Sequence, residues 1–292
     1  MIAPTFSFDA IGTHWQIEIN DFLSEEERDS LLNKIKERIE SFDKAYSRFR
    51  EDSLVTEMSR NTGVYRLPVD ADMLFSHYKK FYDVTDGRVT PLIGDVLSDA
   101  GYDAKYSLIQ SKPLTAPLLW DDVLEYQYPN LIMKKTAMLD FGAGGKGYLI
   151  DIVASLLEKE GISTYCIDAG GDILTRGGQP LIIGLEDPND SSKVIGKVAL
   201  SNQSIAGSAG NRRVWGEFHH IIDPVTLQSP KHILGLWVIA DTTILADLLA
   251  TALFFISPEE LSKQFDFEFM IVNPDYSVIT SDGFSAELFS DA

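Results

Sequence analysis

The stretch that decides the fold is Met138–Asp172, MLDFGAGGKGYLIDIVASLLEKEGISTYCIDAGGD. Gly142, Gly144 and Gly147 form a G-x-G-x-x-G pattern between an apparent strand and an apparent helix, and a second apparent strand ends at Asp168. This order is typical of a dinucleotide-binding unit, in which free N–H groups at the helix N-terminus bind a pyrophosphate. Three glycines also suit a tight strand-to-helix connection without a ligand, so the stretch alone leaves both interpretations open.

The composition predicts a globular protein with a sizeable core. The chain has 292 residues, of which 45% are hydrophobic and 24% are charged. Its 44 acidic and 25 basic residues give a formal net charge of -19. This negative charge speaks against nucleic acid or an anionic membrane as a partner, since both require a basic face. An anionic ligand would therefore need a local source of positive charge, such as a metal ion.

The cysteine content and the N-terminal sequence bear on the cellular compartment in which the protein is expected. Cys166 is the only cysteine, can form no disulfide within the chain, and is expected to be a small core residue. The first residues lack the basic and apolar segments of a secretory signal, and no stretch approaches the ~18 apolar residues of a membrane span. The chain as given is therefore expected to be soluble and cytoplasmic. Export or membrane anchoring is the expectation if a leader has been removed.

Hydrophobic periodicity predicts several elements in the N-terminal half. Alternating apolar residues predict a strand at 15–19, and Ser24 and Glu27 form a capping box at the start of a long helix. A second helix is predicted at 70–83, and the segment 89–107 is predicted to be rich in loops.

The C-terminal half is predicted to be mostly sheet. PLIIGLE, IGKVALS, EFHHIID and GLWVIA are typical of strands, and one helix is predicted from 242 to 255. A dinucleotide fold would instead continue with alternating strands and helices. The sequence therefore favours a compact α+β fold that forms a single domain over residues 1–292, with or without two subdomains.

Asp247 and Thr251 stand four residues apart on the predicted C-terminal helix, so their side chains share one face. A carboxylate and a hydroxyl are hard oxygen donors of the kind that Mg²⁺ prefers. The alternative is structural, with the aspartate at the surface and the threonine bonded to the carbonyl four residues earlier. Without further context the structural alternative is favoured.

His220 is the candidate general base, because imidazole titrates near neutral pH. It precedes Asp223, where a strand is predicted to run into a turn; a lone strand histidine is also often structural. A Walker A loop is excluded, since Asp140 and Gly147 stand where that motif requires glycine and Ser or Thr.

Six segments, taken in order, resemble the ApbE family of FAD:protein FMN transferases. AIGTHWQIEI is similar to the family's M-G-T-x-W strand, and SRFREDSLVTEMSRN to its S-x-Y-R-x-D-S-E segment. DGRVTPLIGDVLSDAGY resembles G-x-F-D-P-T followed by W-G-F. The opening stretch resembles D-L-G-G-I-A-K-G-Y with a later G-G-D, and HHIIDPVT and ADLLATALF resemble H-I-I-D-P-x-T and A-D-x-x-A-T-A.

The resemblance implies an ApbE-like, T-fold-related fold and an enzyme that uses FAD as a substrate. Such an enzyme moves FMN onto a Ser or Thr hydroxyl of an acceptor flavoprotein, releases AMP, and uses Mg²⁺ to neutralise the pyrophosphate. The glycine turn would then serve FAD and not a nicotinamide.

The resemblance also implies a set of site residues. The metal ligands would be Asp247, Thr251 and the carbonyl of Ala143, and His220 would be the base for the acceptor hydroxyl. The residues implied to contact FAD are Ile11, Phe49, Ala100, Gly101, Tyr102, Asp140, Lys146 and Ile221.

Four departures from the family pattern bear on FAD affinity and orientation. Thr90 replaces an acidic residue, Ala100 a tryptophan and Leu227 a glycine, and GSAG at 207–210 replaces T-S-G. The alternatives are therefore a non-catalytic FAD-binding protein or an FAD pyrophosphatase, with an NAD(P) oxidoreductase less favoured. SDGFSAELF at 281–289 faintly resembles an acceptor signature and raises self-modification as a further expectation.

Overall fold

The computed structural model describes residues 4–211 and 213–289. The strands within these ranges are β1 (Thr5–Ala10), β2 (Thr13–Ile19), β3 (Gly63–Arg66), β4 (Leu124–Gln127), β5 (Asn130–Met133), β6 (Tyr165–Ala169), β7 (Asp172–Arg176), β8 (Leu181–Asp187), β9 (Asp190–Leu200), β10 (Ser204–Ala209), β11 (Val214–Trp215), β12 (Phe218–His219), β13 (Gly235–Ala240), β14 (Glu268–Val272), β15 (Val278–Thr280) and β16 (Ala286–Leu288).

The helices in the same ranges differ widely in length. They are α1 (Glu25–Tyr46), α2 (Leu54–Met58), α3 (Ala71–Val84), α4 (Gly94–Ala100), α5 (Trp120–Val123), α6 (Gly145–Lys159), α7 (Thr243–Ala252) and α8 (Pro258–Leu261), and a 3-10 turn covers Pro91–Ile93. None of these helices is long and apolar enough to cross a bilayer.

An eight-stranded sheet forms the centre of the fold. Its strand order is β1-β2-β6-β7-β10-β13-β14-β15, and every neighbouring pair is antiparallel. Side chains alternate between the two faces, so Val238 packs in the main core and its neighbour Ile239 in a second core. Helices α1, α6 and α7 contribute to the main core, and the β16-β9-β8 sheet contributes to the second. The predicted α+β class is confirmed.

Most of the predicted elements are confirmed, with small changes at their ends. The capping box forms at α1, where the Ser24 N–H donates to Glu27 Oε2 at 2.8 Å and the Glu27 N–H to Ser24 Oγ at 3.3 Å. The predicted helix at 70–83 is α3, which buries Leu74, Tyr78 and Phe81. The helix predicted from 242 to 255 is α7, whose last turn ends earlier.

The predicted strand before the glycines is wrong. Residues 138–141 belong to no strand, and the Asp140 N–H donates to the carbonyl of Pro91 at 2.7 Å. After α6, β6 pairs antiparallel with both β2 and β7, whereas a dinucleotide-binding unit needs parallel strands. The G-x-G-x-x-G pattern therefore does not mark a nicotinamide-binding fold.

Two further predictions need correction. The segment 89–107 is not merely loop, because it contains the 3-10 turn and α4. The strand predicted for EFHHIID reduces to the two residues of β12, since the pairing with β11 ends at His219. Cys166 is half-buried against the second core, and burial raises the pKa of its thiol to about 12.

Candidate active site

A cleft of about 630 Å³ gathers most of the predicted site residues. Its walls come from the β1–β2 turn, the end of α1, the start of α6, β10, the segment after β12, and α7. The predicted residues that line it are Ile11, Phe49, Tyr102, Asp140, Ala143, Lys146, His220, Ile221, Asp247 and Thr251. Segments far apart in the chain therefore meet at one place.

Asp247 and Thr251 present their oxygens to the same side of α7. Asp247 is only 6% exposed, and one of its carboxylate oxygens accepts the N–H of Gly147 at 2.9 Å. The Thr251 hydroxyl lies 3.5 Å from the carbonyl oxygen of Ala143 and donates to it. The predicted structural alternative is wrong, because the aspartate is buried and the threonine does not bond its own helix.

Burial is the main influence on the Asp247 carboxyl. Desolvation raises its pKa, while the charge of Lys146 and the N–H of Gly147 oppose that rise. A carboxylate that is costly to ionise in a buried position is stabilised by a nearby cation.

The glycines of the opening stretch allow two helices to approach closely. A Cβ on Gly147 would lie 2.3 Å from the carbonyl oxygen of Thr243 and 2.8 Å from Cβ of Asp247. A Cβ on Gly144 would lie 2.5 Å from Cγ of Leu248. The absence of a side chain at Gly144 and Gly147 thus lets α6 pack against α7. This contact also brings the Gly147 N–H within hydrogen-bonding distance of Asp247.

Lys146 points into the cleft and forms an ion pair with Asp172. Asp172 is 1% exposed and belongs to the later G-G-D of the resemblance. Asp172 was not predicted as a site residue, although it is the aspartate of the G-G-D motif on which the resemblance partly rests. This ion pair fixes the ammonium group at the cleft wall next to the start of α6.

Arg48 is a site residue that the sequence patterns missed. It is 5% exposed, lines the cleft, and forms an ion pair with Asp140, whose other oxygen accepts the Gly142 N–H at 2.7 Å. Its guanidinium lies 4.2 Å from the ring centre of Phe49, and its Nη2 makes no hydrogen bond within the described residues. Asp140 therefore holds Arg48 and the glycine turn together.

Ala100 and Gly101 do not line the cleft, contrary to the prediction. Ala100 is fully buried, and its carbonyl accepts the indole N–H of Trp215 at 2.8 Å. Gly101 ends α4 in a left-handed conformation, where a Cβ would lie 2.5 Å from the N of Ile109. Both positions fix the backbone of the segment that carries Tyr102.

His220 lines the cleft, and the ring of the neighbouring His219 bonds the backbone on either side of this turn. The His219 Nε2 lies 2.8 Å from the carbonyl of Pro230, and the Ile221 N–H donates to Nδ1 at 3.2 Å. With Nε2 as the donor, a neutral imidazole satisfies both contacts. Burial lowers the pKa of His219, which favours this neutral form.

Three of the departures from the family pattern can be placed in the structure. Thr90 lines the cleft, and its hydroxyl accepts the Leu92 N–H at 3.2 Å, which is a capping role that an acidic side chain also performs. Leu227 has φ 59°, a conformation that favours glycine. Gly207 lines the cleft beside the indole of Trp237.

Basic side chains concentrate in this cleft despite the net charge of -19. Those that line it are Arg48, Arg50, Arg88, Lys146 and Arg213. Four of them have carboxylate partners, since Arg48 pairs with Asp140, Arg50 with Asp43 and Lys146 with Asp172, and Arg88 lies 3.8 Å from Asp223. The lining also holds three acidic side chains, Asp43, Asp140 and Asp247, so basic groups outnumber acidic ones in the cleft although the chain as a whole is acidic, and this local balance favours an anionic ligand.

The donor set fits a magnesium ion better than a transition metal. Across residues 4–211 and 213–289, no three His, Cys, Asp or Glu side chains come together as a metal cluster. The cleft instead offers one carboxylate, one hydroxyl and one carbonyl, at Asp247, Thr251 and Ala143. Mg²⁺ commonly binds through one or two carboxylates and takes the remaining oxygens from water and substrate phosphate.

Comparisons with known proteins agree on one family. The ApbE family model matches residues 11–269. The FAD:protein FMN transferase of Escherichia coli K12 is 24% identical over 275 residues, covering 87% of this chain and 78% of that protein. Its counterpart in Haemophilus influenzae is 26% identical over 239 residues, covering 73% and 69%.

Solved structures share the fold. The flavin transferase ApbE of Vibrio cholerae has a TM-score of 0.78 at 18% identity, covering 97% of this chain and 98% of that one. The ApbE protein of Thermotoga maritima has a TM-score of 0.80 at 20% identity, covering 97% and 98%.

Proposed function

The chain belongs to the ApbE family, and we propose that it transfers FMN from FAD to a Ser or Thr hydroxyl of an acceptor flavoprotein, with release of AMP. The observation that carries the proposal is the cleft in which the oxygens of Asp247, Thr251 and Ala143 lie with His220 and a group of basic side chains. The relatives named FAD:protein FMN transferase support the same reaction.

Asp247, Thr251 and the Ala143 carbonyl would hold Mg²⁺, which supplies charge neutralisation on the pyrophosphate. Lys146 and Arg48 add positive charge at the cleft wall, where the nucleotide's anionic groups would lie. Asp140 keeps Arg48 and the glycine turn in position. These residues mainly orient the substrate, which is the principal requirement of phosphoryl transfer.

His220 would accept the proton of the acceptor hydroxyl. The hydroxyl oxygen forms a bond to the phosphorus of the FMN half, and the bond from that phosphorus to the bridging oxygen breaks. AMP leaves with the bridging oxygen, and the acceptor retains FMN through a phosphoester. His220 lines the same cleft as the oxygen donors, so one bound FAD could contact both.

The alternatives are a protein that binds FAD without reaction and an FAD pyrophosphatase, in which water replaces the acceptor hydroxyl. Self-modification at 281–289 receives less support, because that segment contributes no residue to the cleft as described. An NAD(P) oxidoreductase is disfavoured by the antiparallel pairing of β6.

The test is incubation of the purified chain with FAD, with and without Mg²⁺ and with an acceptor peptide that carries a Ser or Thr flavinylation motif. We expect Mg²⁺-dependent AMP and a peptide whose mass increases by that of the FMN group. AMP without a peptide adduct would indicate a pyrophosphatase. Bound but intact FAD would indicate a binding protein, and an FMN adduct on the chain itself would indicate self-modification.

A further inference from the structure

Tyr106 is an aromatic residue of the cleft to which neither the sequence patterns nor the resemblance assigned a role. The tryptophan expected at position 100 is replaced by a fully buried alanine, so that position offers no flat surface. Tyr106, six residues later, lines the cleft and is 49% exposed.

The Tyr106 ring extends an aromatic wall. It stacks on Phe49 with ring centroids 5.2 Å apart and an interplanar angle of 16°, and it meets Tyr102 edge-on at 5.4 Å. Arg48 lies over the ring of the same Phe49, 4.2 Å from its centre. Phe49 thus packs against Arg48, Tyr102 and Tyr106, whereas about half of the Tyr106 side chain stays exposed at this wall.

The backbone of Tyr106 is held in an unfavourable conformation. Its φ of 51° falls in the left-handed region, which costs an aromatic residue about 1 kcal/mol or more. Strain of this kind persists where surrounding contacts impose it, and it is common at ligand sites.

Hydrogen bonds on both sides of Tyr106 impose that conformation. Asp103 Oδ1 accepts the N–H groups of Lys105 at 2.8 Å and Ser107 at 3.1 Å. Asp103 Oδ2 accepts the Ser107 hydroxyl at 2.7 Å, and the Leu108 N–H donates to the Gly101 carbonyl at 2.9 Å. The loop is therefore built to hold this ring at the cleft.

We propose that Tyr106 supplies the stacking surface for one planar ring system of FAD and so takes over the role that the buried Ala100 cannot perform. The inference rests on the proposed function, since FAD is the ligand in both. Base–aromatic stacking predicts an affinity change of roughly tenfold when the ring is removed.

The experiment measures FAD binding by equilibrium dialysis without Mg²⁺, so that FAD is not consumed. We expect Tyr106→Ala to weaken binding by about tenfold and Tyr106→Phe to bind like the natural protein. Leu108→Ala is the matched control, because Leu108 also has a positive φ, is exposed, and is absent from the lining residues. We expect its affinity to be unchanged.

The binding of FMN and of ADP, measured separately, identifies which ring system of FAD stacks on Tyr106. A loss confined to FMN assigns the isoalloxazine to Tyr106, and a loss confined to ADP assigns the adenine. Unchanged or tighter FAD binding by Tyr106→Ala would overturn the inference, as would an equal loss in Tyr106→Phe. Absence of FAD binding by the natural protein would instead overturn the proposed function.

Discussion

At the scale of single residues, Asp247 combines two roles that a substitution can separate. One carboxylate oxygen accepts the buried N–H of Gly147, and the carboxylate lies in the cleft with the Thr251 hydroxyl. The hydrogen bond from Gly147 supports the α6–α7 contact, and the carboxylate in the cleft belongs to the proposed metal site. An amide side chain can keep the hydrogen bond while it removes the charge.

We expect Asp247→Asn to lower Mg²⁺-dependent AMP release by at least about 100-fold, because a charged ligand is lost. Addition of Mg²⁺ should raise the melting temperature of the natural protein and leave that of the asparagine variant unchanged. Both are measured on the same preparations, by thermal unfolding and by AMP release.

Asp247→Ala is the comparison variant. It leaves the Gly147 N–H without its acceptor, so we expect it to lose about 1–3 kcal/mol of unfolding free energy relative to the asparagine variant. An asparagine variant with full activity would show that the metal site lies elsewhere.

We expect His219 to affect the reaction indirectly, through the position of its neighbour His220. His219→Phe keeps a ring of similar size but removes both contacts, to Pro230 and to the Ile221 N–H. We expect a loss of about 1–3 kcal/mol of unfolding free energy near pH 7.5 and a fall in kcat larger than the change in KM.

The difference in unfolding free energy between the natural protein and the His219→Phe variant should narrow as the pH falls. The pKa of His219 is lowered from 6.5 by burial and by Lys231, while the bond to Pro230 opposes this. The unfolded chain therefore binds the proton first, and the stabilisation present above pH 6.5 is lost towards the folded pKa. Lys231 remains charged, and His220 is present in both proteins. Urea unfolding at several pH values measures the gap, and a constant gap would contradict the prediction.

At the scale of secondary-structure elements, the contact between α6 and α7 positions the site. Gly147 and Gly144 leave room for α7, which places Asp247 beside the first turn of α6. The position of the carboxylate thus depends on the distance between two helices as well as on its own side chain. A change at a glycine that binds no ligand should therefore affect metal binding.

We expect Gly147→Ala to lower the unfolding free energy by about 1–3 kcal/mol, because its Cβ would overlap Thr243 and Asp247. The melting temperature should also lose its response to Mg²⁺. Gly145→Ala is the matched control in the same helix turn, where the nearest atom is the Cβ of Phe141 at 3.3 Å. An equal effect of both substitutions on the Mg²⁺ response would contradict the role of the α6–α7 contact.

At the scale of the whole molecule, the two hydrophobic cores share one sheet. Residues of β7, β10, β13 and β14 contribute side chains to both cores on alternate positions. Loss of the sheet would therefore expose both cores together. We propose on this basis that the chain is one domain, as far as the described residues extend.

We accordingly expect a single cooperative unfolding transition in urea. Far-UV circular dichroism, which reports secondary structure, and tryptophan fluorescence should give coincident midpoints. Trp15 lies in the main core and Trp237 packs against the second, so fluorescence reports on both. Two separated midpoints would contradict the single domain.

The sequence by itself determined the features that depend on neighbours along the chain. Helical geometry places Asp247 and Thr251 on one face of α7, and the capping box at α1 involves residues three apart, so both predictions were confirmed. The ordered motifs likewise identified the family. For the helix face and the capping box, the relevant spacing is three or four residues and its geometry is set by the backbone.

Tertiary structure alone decided which distant residues meet. Arg48 and Asp140 are 92 residues apart and Gly147 and Asp247 are 100 apart, so neither contact has a local signal. Packing also buried Ala100 and brought Tyr106 to the cleft through a positive φ that no sequence pattern indicates. The physical reason is that backbone periodicity fixes the directions of side chains within an element, whereas contacts between elements depend on how the whole core packs.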